Sequence, residues 1–101
     1  MEEKNKLQMK HLNISIRGKV QGVFFRLTTK AVADQVGVRG FVVNLKDGSV
    51  YIEAEGDDFA LDSLLEFCQE GPEGAIVESV EVKEGELKSF SNFEVVKRVQ
   101  S

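Results

Sequence analysis

The chain has 101 residues, 42% of them apolar and 30% charged, and carries a formal net charge of −4. That length supports one continuous core and not two, and the composition is that of a globular domain with no general affinity for nucleic acid. Its apolar runs are too short to span a membrane, and the charged opening MEEKNKLQMK leads into no signal-peptide core, so a cytoplasmic location is expected.

Residues 1–9 read as a charged N-terminal extension, either a loose tail or a partial continuation of the first strand, ahead of one domain over residues 10–101. In HLNISIR, Leu12, Ile14 and Ile16 alternate with polar partners, the period-two signature of a strand with one buried face. His11, at its start, reads as a surface residue. GKVQGV breaks the alternation, and from Phe24 to Val36 the spacing turns helical, with Phe25, Val32, Ala33 and Val36 near one face and Gly37 as the stop.

GFVVNL and SVYIEAEG are two strands joined through KDG. The Asp47-Gly48 pair predicts a type I′ hairpin turn, with positive φ at both central residues. In the second strand Val50, Ile52 and Ala54 alternate with Tyr51, Glu53 and Glu55. Asp57 or Asp58 caps a second helix, in which Leu61, Leu64, Leu65 and Cys68 keep the i, i+3, i+4, i+7 rule until Gly71-Pro72 ends it. Cys68 reads as a small buried apolar residue; a lone cysteine and a lone histidine supply neither an internal disulfide nor a structural zinc site. Nothing around His11 suggests a Ser-His-Asp or Cys-His arrangement.

AIVESVEVK and FEVV complete the set, the last strand short and at an edge. The order β-α-β-β-α-β plus a short fifth strand predicts an α+β fold, a ferredoxin-like α/β sandwich with two helices on one face of a mostly antiparallel sheet.

Charge is distributed unevenly along this plan. No acid occurs between Glu3 and Asp34, where Lys4, Lys6, Lys10, Arg17, Lys19, Arg26 and Lys30 all fall. Within that basic third, GKVQGVFFR (residues 18–26) runs a glycine-punctuated turn straight into a helix. The first amides of a helix need partners and its macrodipole makes that end positive, yet no Ser, Thr, Asp or Asn precedes this one and Arg26 adds a cation. An anion would resolve both oddities. Gly18 and Gly22 would let the main chain approach it closely, successive amides would point inward as a nest, and the guanidinium fork would hold phosphate oxygens. The pattern is not a nucleotide P-loop, because Gly22 is followed by Val-Phe and not by Lys-Ser or Lys-Thr.

These residues resemble the acylphosphatase family. IRGKVQGVFFR is similar to its Gly-x-Val-Gln-Gly-Val-x-Phe-Arg loop at every fixed position, with residue 24 at a variable one. GFVVNLKDGSVYIEAEG resembles its Gly-aromatic-Val-x-Asn segment, and GPEGA (residues 71–75) its loop after the second helix. The likeness runs from about Lys10 to Val96. One departure stands at Val43, where the family often carries a polar or basic residue.

The resemblance implies hydrolysis of the carboxyl-phosphate bond of acyl phosphates. By that match, main-chain amides of Lys19, Val20, Gln21, Gly22 and Val23 and the side chain of Arg26 bind the phosphoryl group, while Asn44 holds the attacking water. It implies no cofactor and no metal, a small acyl phosphate as substrate, inorganic phosphate as product and competitive inhibitor, no nucleic-acid or membrane partner, and a monomer. The alternative is a non-catalytic phosphate-binding or regulatory module of the same family. An RNA-binding domain of this fold needs exposed aromatics on a basic sheet; SVYIEAEG offers Tyr51 beside Glu53 and Glu55.

Overall fold

A computed structural model describes residues 8–97. Its elements are β1 (Lys10–Lys19), α1 (Phe25–Val36), β2 (Arg39–Asn44), β3 (Val50–Gly56), α2 (Asp58–Glu70), β4 (Ile76–Gly85) and β5 (Phe93–Val96). The sheet order is β4-β1-β3-β2-β5, with β5 parallel to β2 and every other pair antiparallel. This is the expected ferredoxin-like arrangement, with the short fifth strand at an edge. Most of the N-terminal extension lies outside the described residues; Gln8 and Met9 belong to no strand.

Strand alternation puts Ile14 and Ile16 of β1, Val42 of β2 and Val50, Ile52 and Ala54 of β3 on the face the helices cover. Against them α1 sets Phe25 and Ala33, and α2 sets Leu61, Leu64 and Cys68, all buried. Each large side chain so buried contributes about 1.5 to 3 kcal/mol, and the Phe25 ring meets Phe67 at 5.5 Å. Cys68 packs as a small apolar residue: burial pushes its thiol up to about 12, which keeps it protonated and unreactive.

The hairpin falls where Asp47-Gly48 marks it, but its type differs from the expectation. Of the two residues only Gly48 has positive φ, at 94°. The Gly48 amide donates to the Leu45 carbonyl at 3.1 Å and the Leu45 amide to the Ser49 carbonyl at 2.9 Å. Those bonds describe a longer connection, a turn over residues 45–48 with glycine in the left-handed position, and not a two-residue type I′ loop. The Asp47 carboxylate accepts from the Ser49 amide at 2.9 Å and hydroxyl at 2.6 Å, which fixes the turn and holds its carboxyl below the usual range.

The surface reading of His11 is corrected: 1% of it is exposed. Its Nδ1 lies 2.7 Å from Glu55 and its Nε2 3.0 Å from Asn13, while Phe90 stacks on the ring at 5.9 Å. Glu55, itself buried, also accepts from the amides of Lys88 and Phe90. The connection between β4 and β5 therefore roofs the end of the sheet face opposite the helices. Burial alone would raise the Glu55 pKa; the Lys88 amide, His11 and the Phe90 amide together outweigh it and leave the pKa lowered. Alternation identified the face but not its cover.

Candidate active site

The stretch after β1 is anchored before it can bind anything. Val20 is 1% exposed and pins the start of the turn into the core. The Gln21 side-chain amide donates to the carbonyls of Leu45 and Ser49, both at 2.8 Å, which ties the turn to the β2–β3 hairpin. Arg17 meets Asp47 at 3.2 Å across the same gap; both are exposed, so solvent screens the pair and it adds little.

Two residues then bend the chain into α1. Gly22 has φ 76°, and a side chain there would meet open space, so its conformation and not crowding asks for glycine. Gly18 answers a different need from the one its place in the motif suggests. A Cβ at Gly18 would run into the Ile76 carbonyl of β4, so this glycine serves strand contact at the register shift beside Arg17, not a ligand. Phe24, the residue before the helix, is left-handed at φ 61° and makes no capping bond.

Among the described residues, the amides of Gln21, Gly22, Val23 and Phe24 donate to no main-chain or side-chain acceptor. The first turn of α1 contains no acid. Amides without partners, the positive end of the helix dipole and Arg26 thus converge, and that combination attracts an anion.

These residues open on a cleft of about 360 Å³ lined by Val20, Gly22, Phe24, Phe25, Arg26, Leu27, Asn44 and Val95. One guanidinium nitrogen of Arg26 donates to the Val96 carbonyl at 2.9 Å, so β5 positions the group, and among the described residues its other donors have no hydrogen-bond acceptor. Asn44, the last residue of β2, has its Oδ1 buried with no hydrogen-bond partner among the described residues. A buried acceptor in that state calls for a donor from a bound molecule or water.

Of the residues singled out in the sequence, Val20, Gly22, Arg26 and Asn44 share this cleft. Lys19 sits in β1 opposite Ile76, the Gln21 side chain is committed to the hairpin, and the Val23 side chain packs on the core, so any part they play at the cleft is by main chain. Val43 is 1% exposed, lies opposite Tyr51 and Val96, and is not part of the cleft wall. Residue spacing does not mark Phe24, Leu27 and Val95 as cleft residues; the one available signal is that Leu27 falls off the apolar stripe of its helix.

The acylphosphatase family model matches residues 12–95. The chain belongs to the acylphosphatase family. It is similar to an acylphosphatase of Archaeoglobus fulgidus, 46% identical over 84 residues that make up 83% of this chain and 94% of that one. The solved acylphosphatase of Coxiella burnetii superposes with a TM-score of 0.86 at 34% identity, covering 95% of this chain and all of that one. The same acylphosphatase fold also matches part of full-length HypF, solved in its phosphate- and nucleotide-bound form, with a TM-score of 0.85 and 28% identity. There it accounts for 13% of the partner chain, against 95% of this one.

Proposed function

We propose that this acylphosphatase-family chain hydrolyses acyl phosphates to a carboxylate and inorganic phosphate. The amides from Lys19 to Val23 and Arg26 bind the phosphoryl group, and Asn44 positions the water. The observation that carries the reading is the uncapped start of α1, where amides without partners, Arg26 and the orphaned Asn44 oxygen face one cleft.

A small set of groups suffices because of the leaving group. A carboxylic acid has a pKa of about 4, so its anion departs without a proton from a general acid. What remains is to offset charge on the equatorial oxygens of a loose transition state and to hold water in line. Fixed amides and Arg26 do the first. The Asn44 oxygen does the second by accepting a hydrogen bond from the water, whose oxygen lone pair stays free to attack phosphorus. The phosphorus bond to the bridging oxygen breaks, the carboxylate leaves with that electron pair, and the proton from water is taken up by the phosphate.

No metal enters this scheme, inorganic phosphate competes with substrate, and one copy of the chain in the cytoplasm is sufficient. The test is hydrolysis of acetyl and benzoyl phosphate with a chelator present and a simple phosphate monoester as control. Mixed anhydrides should be cleaved and the monoester left intact. Equal cleavage of the monoester would overturn the leaving-group account; tight phosphate binding without turnover would favour a binding module. Fractionation and light scattering test location and assembly.

A further inference from the structure

Arg26 takes its direction from the carbonyl of Val96, the last residue of a four-residue strand at the edge of the sheet. β5 is paired on one side only, and the connection from β4 reaches it from the opposite edge. Short elements at an edge open locally at little cost, so a carbonyl there aims a side chain only if a second contact fixes the strand. That contact comes from α1 itself. Lys30 lies one turn beyond Arg26 on the same helix face, and its ammonium donates to the Phe93 carbonyl at 2.9 Å. Asp34, a further turn along, accepts from the same ammonium at 2.9 Å and offsets its charge. Two cations at i and i+4 thus hold the first and last residues of β5. Lys30 belongs to the basic third of the sequence, yet it is no part of the cleft wall; its partners are a main-chain oxygen and an acid.

We propose that Lys30 is a positioning residue: by fixing the start of β5 against α1 it sets where the Val96 carbonyl stands, and so where the Arg26 guanidinium points. This deepens the hydrolysis proposed above and rests on it for its kinetic effect. Lys30 touches neither phosphate nor water and acts only through β5 and Arg26. A guanidinium released to swing keeps its charge, and a bound phosphate can follow it. The transition state cannot, because attacking and leaving oxygens must stay in line while the donors meet the equatorial oxygens, and a misplacement of about 1 Å costs on the order of 10²-fold in rate. Loss of Lys30 therefore falls more heavily on turnover than on phosphate affinity. A lysine that served stability alone would change neither in the folded molecule.

The experiment compares the native chain with Lys30→Met, which keeps the apolar stem and removes the donor, and with Lys30→Arg, which restores one. Per folded molecule, Lys30→Met should lower kcat for acetyl phosphate about tenfold and weaken inhibition by inorganic phosphate only about twofold, while Lys30→Arg should stay within about threefold of native. In an Arg26→Ala background Lys30→Met should change kcat by less than about twofold, since the group it positions is gone. The Arg26 Nε–H resonance of the phosphate-bound chain gives a readout without turnover: it should broaden in Lys30→Met and sharpen again in Lys30→Arg. A kcat unmoved in Lys30→Met, or an equal fall with Arg26 absent, overturns the positioning role and leaves the hydrolase standing. A resonance unmoved in Lys30→Met overturns the role whatever the rates. If the native chain cleaves no acyl phosphate and the resonance still broadens in Lys30→Met, the hydrolase is overturned and the positioning of Arg26 stands.

Discussion

The two helices of this domain begin in opposite ways. Helix α2 opens on Asp57, whose carboxylate accepts from the Ala60 amide at 2.8 Å, and Asp58 follows in its first turn. Helix α1 opens on left-handed Phe24 with no side-chain cap, no acid, and Arg26 where a cation is unfavourable. Both helices pack on the same sheet and each buries its own stripe, so packing does not explain the difference. One end is built for stability within the chain. The other leaves its amides for something outside it, and tertiary packing of Phe25, Thr29 and Ala33 holds the helix in spite of that.

The largest expected effect that tests this contrast is Arg26→Ala. Turnover should fall about 10²- to 10³-fold, the usual loss for one preorganised charge-stabilising donor, together with inhibition by inorganic phosphate. Near-normal kcat in that variant would place the anion elsewhere. Next, Asn44→Ala should reduce turnover about 10²-fold while phosphate inhibition stays, because the side chain orients water and does not grip the anion. A parallel loss of phosphate affinity would reassign Asn44 to binding.

A third region, on the sheet face opposite the helices, separates stability from function. Glu55→Gln should cost about 1 to 3 kcal/mol in denaturant unfolding at neutral pH, since it weakens a buried acceptor of two amides and His11. The native Glu55 carboxyl is lowered from 4.5, so its contribution is present above that pH and is lost as the pH falls through the folded value. Native and variant stabilities should therefore converge in acid; a constant gap would mean the carboxylate charge is not what matters. Turnover per folded molecule should not change.

Smaller still is Asp57→Ala, expected to cost about 1 kcal/mol with unaltered kinetics. Leu27→Glu supplies α1 with the acid its first turn lacks. It should add about 0.3 to 1 kcal/mol of stability and weaken phosphate inhibition, a trade that Asp57 and Asp58 never face. If stability rose with no change in phosphate inhibition, the α1 terminus would be an ordinary one.

Much of this molecule is legible from residue spacing because the signals are local. The Leu61, Leu64, Cys68 stripe, the Asp57 cap and the alternation in β1 and β3 involve neighbours in the chain, and the structure reproduces them. The oddity at residues 18–26 was visible for the same reason: a missing cap is a local fact. The turn type differs from the type I′ expectation because the bonds joining Leu45 to Gly48 and Ser49 depend on where the two strands stop pairing, which residue types do not state.

What the chain determined by itself was which residues share a face, which helix ends carry their own caps, and which one does not. Folding alone decided what covers each face and what meets at the open end. His11 is buried because Phe90 and the Lys88 amide arrive from the far end of the chain. Asn44 and Arg26 share a cleft because α1 packs across β2 and β5, and Val95 joins them because β5 pairs beside β2. Periodicity reports one surface of an element; burial and chemistry need two surfaces, and the second comes from residues distant in sequence that only the packed sheet brings near.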